Sequence, residues 1–499
     1  MDRSKANAWP RKKRISLLVF FGICLSIAFI ATGCKSSTAP LNEKIKRIEN
    51  GLLKGVRIKG QPYEKMALAD RMAEHKVPAL SIAVIKDGRI EWAKAYGFRD
   101  VEEKSPAATE TLFQAASISK PVAAAAALRL VERGLINLDE DVNDKLSGWK
   151  IPENQFSAAN KVTLRRILSH NAGLTVHGFD GYPSGKPVPT LLQVLNGEKP
   201  ANSASVLVDI PPGSEWRYSG GGYTVMQQML IDVLKKPFPV IMKETVLTPA
   251  RMTLSTYEQP LPPDRLSQSA VGYRPDGMPV EGKRHVYPEM AAAGLWTTPS
   301  DLCRFAIEIM NAFNGRSENF LSRKMAGQML SVQKAPSGLG LILGGTGESF
   351  HFGHSGGNEG FRCHLVAFPA RGIGAAIMTN SDNGGALCDE LFRSLYAEYG
   401  LPGSEPVDKT IVPVSHEILD RFAGRYDAES SGQHVPVVIA RKADHLVMTV
   451  LGSDVDLYPE SGMDLFSMDL QFDIHFLIDD KGMVSGFESK GGIKAIKSK

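Results

Sequence analysis

A run rich in alanine and leucine, residues 122–133, constrains the fold most, because its high helix propensity ends at Gly134, a residue suited to capping a helix C-terminus. Pro121 is tolerated only near the start of a helix, so the helix must begin close to Ser117. Ser117 and Lys120 are three residues apart and would share one helix face. A lysine that loses its proton in a partly dry pocket can take the proton of a serine hydroxyl. The pattern therefore predicts a nucleophilic serine suited to acyl transfer, beside backbone amides that can hold an oxyanion.

The Ser-x-x-Lys pattern is weak on its own, since it also begins at Ser147 and at Ser331. Pro152 follows the first of these matches, and a loop-like segment, residues 335–338, follows the second. Only the match at Ser117 opens a long apolar helix, so it is the one that we select.

The first 33 residues have the layout of an export signal, because basic residues at positions 11–14 precede an apolar run at residues 15–31. Residues 31–34 resemble the lipobox of bacterial lipoproteins, and this resemblance implies acylation of Cys34. An uncleaved anchor and simple cleavage are the alternatives, since the apolar run is nearly long enough to span a bilayer. Lipidation and an uncleaved anchor both predict an exported protein of the periplasm or cell envelope, tethered to a membrane.

The chain beyond residue 33 is nearly neutral, because the signal takes six basic residues and one acidic residue with it and leaves 52 basic and 53 acidic side chains. A chain without an excess of basic residues lacks the positive charge that nucleic-acid binding requires, so we exclude nucleic acid as a partner. Cys303, Cys363 and Cys388 remain after the predicted acylation site, and they allow at most one disulfide in an oxidising compartment.

The middle of the chain mixes hairpins with helices. Two pairs of strand-like runs around short turns predict antiparallel hairpins: residues 80–85 with 90–96, and 364–368 with 372–379. Helical patterning covers these segments: 111–249, with a glycine- and proline-rich interruption at 173–212, and 387–399.

The last ninety residues differ from the rest, because short alternating segments replace the helices after about residue 412. Apolar residues occupy every second position from 472 to 478, namely Phe472, Ile474, Phe476 and Ile478, and a turn at residues 479–482 follows them. The pattern predicts a small antiparallel meander or barrel.

Two glycine-rich clusters with titratable residues follow Ser117, at residues 217–223 and 351–357. The three clusters, in this order, resemble the serine β-lactamase and penicillin-binding superfamily, nearest its class C-like branch. Shorter stretches that also resemble this branch are 77–79, 168–174 and 294–301. Residues 419–426 resemble the start of the lipocalin-like β modules that some members carry.

The resemblance implies an α+β fold, with an antiparallel sheet flanked by helices, a helical subdomain and a small C-terminal antiparallel β-barrel. The expected division of the chain is 1–33 signal peptide, 34–59 tether and lead-in, 60–400 serine hydrolase domain, 401–411 linker and 412–499 all-β domain. The loop from residue 178 to residue 206 is expected to border the cleft.

The resemblance also implies roles for individual residues. Ser117 would be the acylated nucleophile and Lys120 its proton partner, while Tyr218 would relay the proton to the leaving group and later activate water. His354 would replace the lysine of the third motif, as in D-aminopeptidase and esterase relatives. The substrate and oxyanion contacts would include Gly356 and Gly357, with the amides of Ser117 and Gly357 forming the oxyanion hole. Whether Lys120 or Tyr218 is the acylation base stays open.

Gly220 departs from the pattern, because β-lactamases of this type carry an asparagine there that contacts the lysine and the substrate. We therefore expect weak or no β-lactamase activity. His170 is interpreted as a hydrogen-bonded structural residue and Arg217 as a surface or packing residue. His351, His354 and His364 invite a zinc hypothesis, but their glycine-rich context is not helical, so we predict no metal and no cofactor.

The predicted function is that of a serine hydrolase forming an acyl-enzyme on a small-molecule or peptide substrate, namely an ester, an amide or a D-amino-acid peptide. The alternative is a catalytically idle cell-envelope lipoprotein that binds peptidoglycan fragments, β-lactams or a protein partner.

Overall fold

The computed structural model describes residues 39–430, 433–450, 453–468, 472–489 and 492–498. The predicted signal, residues 1–33, and the predicted acylation site Cys34 lie outside this part of the chain. Of the first of two compact units, Met1–Glu43, only residues 39–43 are described, and they begin a helix. Within the described ranges, no helix has the length and apolar character that crossing a membrane requires.

The helices are distributed along the body of the chain, with one more before the last group of strands. They are α1 Ala39–Glu49, α2 Leu68–Glu74, α3 Ser119–Glu132, α4 Leu164–Leu168, α5 Leu191–Asn196, α6 Gly220–Leu234, α7 Phe238–Met242, α8 Pro263–Leu266, α9 Met290–Ala293, α10 Pro299–Phe313, α11 Arg323–Met329, α12 Gly384–Tyr399 and α13 His416–Phe422.

The strands fall into a body set and a C-terminal set. The body set is β1 Val56–Ile58, β2 Ala79–Lys86, β3 Arg89–Asp100, β4 Ser105–Pro106, β5 Phe113–Gln114, β6 Tyr182–Pro183, β7 His285–Val286, β8 Trp296–Thr297, β9 Ile342–Gly344, β10 His351–Asn358, β11 Phe361–Phe368, β12 Ile373–Thr379 and β13 Val407–Lys409. The C-terminal set is β14 Gly424–Ser430, β15 Gln433–Lys442, β16 His445–Val450, β17 Ser453–Pro459, β18 Asp464–Phe466, β19 Asp473–Ile478, β20 Val484–Ser489 and β21 Lys494–Lys497.

A seven-stranded antiparallel sheet forms the frame of the body, in the order β4-β3-β2-β12-β11-β10-β9. Both predicted hairpins are confirmed, as β2 with β3 and as β11 with β12. Asp87 and Gly88 join the first pair with φ values of 52° and 69°, the left-handed conformation that two-residue hairpin turns favour. Strand β12 pairs with β2, so the two ends of the body meet in the middle of one sheet.

The predicted alanine-rich helix is confirmed as α3, which is buried along nearly its whole length. It begins at Ser119, three residues before the predicted run, and a 3-10 turn, Ala116–Ile118, precedes it. Pro121 lies in the first turn of α3, where its missing amide hydrogen costs nothing.

The glycine- and proline-rich interruption, residues 173–212, contains one short helix that its composition did not predict. Thr190 and Gln193 form a capping box at the start of α5, and Gly197 ends the helix with a φ of 67°. A six-residue helix of this kind depends on its caps and packing more than on helix propensity, which is why the pattern missed it.

The C-terminal strands close into an eight-stranded antiparallel barrel, because β14 pairs with both β15 and β21. The predicted β-barrel is therefore confirmed, with its own core of buried side chains. Ile474 and Phe476 of β19 are buried as the alternation predicts, but Ile478 is 43% exposed. The register shifts between Leu477 and Ile478, which moves the last residue off the inner face.

The predicted linker, residues 401–411, is partly strand. Val407–Lys409 pairs in parallel with Val56–Ile58 of the predicted lead-in, so both segments belong to a two-stranded sheet. Val56 and Ile58 pack with Phe466 of the barrel in a small apolar cluster. This sheet therefore joins the body to the barrel.

Candidate active site

Ser117 lies in the 3-10 turn between β5 and α3, next to the first turn of α3. Ala116 before it has a φ of 47°, a left-handed conformation that L side chains rarely adopt. Lys120 Nζ is 3.0 Å from Ser117 Oγ and donates a second hydrogen bond, 2.9 Å long, to the carbonyl oxygen of Ala292. The structure thus places the predicted serine and lysine within direct reach of each other.

The lysine side chain is only 2% exposed. Burial disfavours the charged ammonium and lowers the pKa of Lys120 to about 7. At neutral pH a substantial fraction of Lys120 is therefore the neutral amine, which can accept a proton from the serine hydroxyl.

Tyr218 lies immediately before Ser219, the residue that caps α6 by accepting a hydrogen bond from the amide of Gly222. Burial raises the pKa of Tyr218, and a hydrogen bond with Ser117 opposes that shift. Its ring centroid is 4.9 Å from Lys120 Nζ. Tyr218 is therefore a protonated phenol at neutral pH, in contact with both members of the serine and lysine pair.

His354 lies in β10 on the opposite wall, with its ring centroid 6.1 Å from that of Tyr218. Burial, together with the positive charge of Lys120, lowers the pKa of His354 to about 3. The neutral ring donates from Nδ1 to the carbonyl oxygen of Ser355 at 2.5 Å, and this leaves Nε2 as a buried acceptor without a partner among the described residues. His354 can accept a hydrogen bond from a substrate, but it carries no positive charge at neutral pH.

Gly356 allows β10 to approach the serine-bearing turn. A Cβ at this position would lie 2.4 Å from the carbonyl oxygen of Ala115 and 2.6 Å from Cys363 Sγ. These separations are too short for any side chain, so close packing requires glycine here. The predicted oxyanion contacts Gly356 and Gly357 consequently border the same cavity as Ser117.

The cavity has a volume of about 660 Å³. Its lining combines the predicted residues with aromatic and loop side chains: Ser117, His177, Gly178, Phe179, Asp180, Trp216, Tyr218, Pro336, Ile342, His354, Ser355, Gly356 and Gly357. As predicted, the start of the loop from residue 178 borders the cleft.

The side chains that line this cavity are neutral or acidic, and the buried amine of Lys120, 3.0 Å from Ser117 Oγ, is not among them. The described residues of its lining include no lysine or arginine. Desolvation by the surrounding protein lowers the pKa of His177, and the charge of Lys120 adds to this effect. Asp180 is the acidic residue of the lining, and its exposed side chain has no ion-pair partner among the described residues.

Gly220 has a physical explanation in the neighbouring loop. A Cβ on Gly220 would lie 3.1 Å from the carbonyl oxygen of His177 and 3.1 Å from the ring of Phe179. The phenylalanine ring therefore fills space that a side chain at position 220 would need.

The other serine and lysine matches do not form pairs of this kind. Ser147 Oγ accepts a hydrogen bond from Lys235 rather than from Lys150, and Ser331 Oγ donates to the carbonyl oxygen of Gln328. Both side chains are in loop or turn segments, as their sequence context predicts.

Two supporting residues were missed by sequence reasoning. Ala292, whose carbonyl oxygen accepts from Lys120, lies in the short helix α9, and Gln227 of α6 holds that helix by hydrogen bonds to Pro288 and Ala291. The resemblance of residues 294–301 to the superfamily pointed to this region, but not to a carbonyl contact.

His170 and Arg217 are hydrogen bonded, consistent with their interpretation as structural residues. The three histidines of the zinc hypothesis have different surroundings: His351 lies against Phe368, His364 against Phe392, and His354 in the cavity. Within the described ranges, no group of three or more potential ligands is placed to hold a metal ion.

Comparison with known proteins gives three kinds of similarity. The family model described as Beta-lactamase matches residues 66–395. Protein flp of Staphylococcus aureus (strain N315) is 27% identical over 237 residues, which is 46% of this chain and 44% of that protein. The match thus spans less than half the length of the staphylococcal relative.

A longer match is with penicillin-binding protein 4* of Bacillus subtilis (strain 168), which is 21% identical over 80% of this chain and 90% of its own length. Among solved structures, an octameric penicillin-binding protein homologue from Pyrococcus abyssi has a TM-score of 0.59 and 23% identity, covering 86% of this chain and 98% of its own. SurE, in a structure with D-Leu, has a TM-score of 0.55 and 21% identity over 86% of this chain and 97% of its own. At these identities the structural likeness establishes the fold.

Proposed function

The chain belongs to the Beta-lactamase family, and from that premise we propose that it is a serine hydrolase that forms an acyl-enzyme on Ser117. The observation that carries the proposal is the 3.0 Å separation of Ser117 Oγ from the buried amine of Lys120. A hydroxyl is a weak nucleophile at neutral pH unless a base removes its proton as it attacks.

The chemistry divides between the two neighbours of the serine. Neutral Lys120 takes the Oγ proton while Oγ bonds to the carbonyl carbon of the substrate, and the carbonyl π electrons move to oxygen. The backbone amides of Ser117 and Gly357 stabilise that oxyanion. The oxyanion electrons then re-form the carbonyl as the bond to the leaving group breaks, Tyr218 gives its proton to that group, and Tyr218 regains a proton from Lys120. Water then attacks the ester on Ser117 by the reverse path.

The lysine is the acylation base in this proposal. Its pKa of about 7 lies near neutrality, whereas burial raises the pKa of Tyr218. A base is most effective when its pKa is close to the working pH. Tyr218 therefore acts as a proton relay.

The charge of the cavity argues for an uncharged or cationic ester, amide or D-amino-acid peptide. A β-lactam carries a carboxylate, which would meet neutral His354 and the negative Asp180 without any lysine or arginine among the described lining residues. An unpaired carboxylate in a partly dry site is costly. Weak or absent β-lactamase activity follows.

A fluorophosphonate probe tests the nucleophile, because it labels activated serines covalently. We expect labelling of the wild type and none of Ser117→Ala. Ser147→Ala and Ser331→Ala are matched controls, since each removes a serine of the same sequence pattern, and both should label like the wild type. Equal labelling of Ser117→Ala and the wild type would refute the proposal.

A substrate panel tests turnover. p-Nitrophenyl esters and D-alanine p-nitroanilide should be hydrolysed with a larger kcat/KM than a chromogenic cephalosporin. Labelling without turnover of any of these would instead favour the idle binding lipoprotein.

A further inference from the structure

His170 contacts the segment that carries Tyr218 on three sides. Its carbonyl oxygen accepts a 2.7 Å hydrogen bond from the amide of Arg217, and its ring Nδ1 accepts a 3.1 Å hydrogen bond from the amide of Ser219. The ring itself stacks on the ring of Tyr218, with centroids 4.2 Å apart and planes 25° apart. His170 thus binds the residues before and after Tyr218 and covers one face of its ring.

His170 is itself held firmly. It is 3% exposed, and its amide donates to the carbonyl oxygen of Ile167 at the end of α4. The edge of Trp216 and the ring of Tyr223 pack on its other sides, at 6.2 Å and 5.4 Å between centroids. Its φ of 57° is a conformation that costs free energy for a residue with a side chain.

The hydrogen-bond pattern fixes the chemical state of the ring. Since Nδ1 accepts a hydrogen bond from the amide of Ser219, the proton of the neutral imidazole must be on Nε2. Burial, and after it the charge of Lys120, lowers the pKa of His170 well below its usual value. The neutral ring can therefore stack and accept at the same time.

We infer that His170 is a positioning residue for Tyr218. It accepts hydrogen bonds from the amides of both flanking residues and stacks on one face of the ring, and these contacts keep the phenol hydroxyl directed at Ser117. This inference rests on the proposed role of Tyr218 as proton relay. The residues before Tyr218, 214–217, are not part of a helix or strand, so the backbone there depends on contacts such as these.

Two substitutions separate the contacts of His170. His170→Gly removes the strain of a side chain at a positive φ, and it also removes both the ring and the Nδ1 acceptor. His170→Asn also tolerates this conformation and offers Oδ1 to the amide of Ser219, but it has no ring to stack. We expect kcat of the full-length protein to fall about 100-fold in His170→Gly and about 10-fold in His170→Asn, with KM changed less than about threefold, because misplacing a catalytic group acts on the chemical step.

The Tyr218→Phe background shows whether the effect passes through Tyr218. In that background, each His170 substitution should change kcat by less than about threefold. Lys235→Gly is a matched control, since Lys235 also has a positive φ but lies at the far end of α6, and it should keep wild-type kcat. Equal losses in the wild-type and Tyr218→Phe backgrounds would overturn the inference, as would wild-type kcat in a folded His170→Gly protein.

A spectroscopic measurement makes the inference independent of turnover. With ζ-13C tyrosine in the protein, the Tyr218 resonance is identified by its loss in Tyr218→Phe. His170→Gly should shift and broaden this resonance, because a stacking ring and a fixed backbone are lost, whereas Lys235→Gly should leave it in place. An unchanged Tyr218 resonance in His170→Gly would overturn the inference even if the protein hydrolysed nothing. Failure of fluorophosphonate labelling in the wild type would instead refute the proposed function.

Discussion

At the scale of single residues, Lys120 illustrates a conflict between stability and chemistry. Its amine is buried, and the hydrogen bonds that the structure gives it go to Ser117 Oγ and the carbonyl oxygen of Ala292, neither of which is charged. An ammonium in such a place is unfavourable unless a carboxylate compensates it. The depressed pKa that results makes the amine available as a base.

The pH dependence of acylation follows from this pKa. The reactive form of Lys120 is neutral, so its fraction falls about tenfold per pH unit below the pKa of about 7 and levels off above it. His354, with a pKa of about 3, and Tyr218, with a raised pKa, do not change state between pH 5 and 9. The second-order rate of fluorophosphonate labelling, measured over that range, should therefore rise and then plateau. A rate independent of pH would contradict the assignment of Lys120 as the base.

Removing the amine should separate stability from activity. In the folded state the pKa of Lys120 is depressed from 10.5 to about 7, so the unfolded chain binds more protons than the folded one between these values. Burial of the ammonium therefore lowers the free energy of unfolding by its full amount below pH 7, on the order of several kcal/mol, and this destabilisation decreases as the pH rises above 7. Lys120→Met should lose labelling by at least about 1,000-fold. By calorimetry at pH 6 it should unfold at a temperature no lower than that of the wild type; a clear drop would contradict the argument.

The sequence predicted the pairing of Ser117 with Lys120 because positions three apart on a helix share a face. It could not predict that the second partner of Lys120 is the carbonyl oxygen of Ala292, since that contact joins residues 172 positions apart. The identity of an alanine also says nothing about the use of its backbone. The reason for Gly220 was hidden in the same way, because Phe179 occupies the space only after folding.

At the scale of elements, the site is built where the turn before α3, the N-terminus of α6 and strand β10 meet. Each element presents one predicted cluster, and their short separation depends on small residues between them. Residues 351–357 of β10 were recognised only as a glycine-rich motif and not as a strand. Hydrophobic periodicity covered α3 and the region of α6, because it reports which face of an element is buried. It could not place the loop at residues 177–180, whose path depends on tertiary contacts such as that between His285 and the carbonyl oxygen of Asp180.

Gly356→Ala tests the close approach of β10 to the serine-bearing turn. Because the added Cβ would meet the carbonyl oxygen of Ala115 at 2.4 Å, the strand or the turn must shift. We expect a loss of about 2–3 kcal/mol in the free energy of unfolding and at least about tenfold slower labelling of Ser117. Gly327→Ala, a helical position in α11 with nothing near its added Cβ, should be neutral or stabilising by about 1 kcal/mol. Chemical denaturation with the labelling assay measures both.

Asp180→Asn tests the loop as a determinant of substrate charge. Since Asp180 is the charged residue of the described lining, its loss should lower kcat/KM for D-alanine p-nitroanilide and raise it for the N-succinyl derivative. Each change should be about threefold to tenfold, because the carboxylate is exposed and partly screened. Glu215→Gln removes an exposed charge next to the lining residue Trp216 and should leave this preference unchanged. Equal effects of the two substitutions would contradict a specific role for Asp180.

At the scale of the whole molecule, the body and the barrel have separate hydrophobic cores. The barrel was predictable because alternation and turns are local signals, whereas the parallel pairing of β1 with β13 joins segments about 350 residues apart. A short strand at residues 56–58 has no pattern long enough to identify it. For the same reason, the sequence indicated a linker where the structure has a sheet.

Lys409 connects this small sheet to the barrel and provides the last test. It is 5% exposed, and its Nζ lies 2.6 Å from Glu460 and 3.1 Å from Asp473, both on the barrel side. Lys409→Met leaves those carboxylates without this cation, so we expect a loss of about 1–3 kcal/mol, moderated because both acids are partly exposed. Calorimetry should show an earlier unfolding transition, while labelling of Ser117 at 25 °C stays unchanged because the body core is intact. Adding Glu460→Gln should restore part of the loss. Lys442→Met, which removes an exposed lysine of the barrel, is the control. An equal shift of its unfolding temperature would show that the loss of a positive charge, and not the loss of the Lys409 ion pairs, lowers the stability.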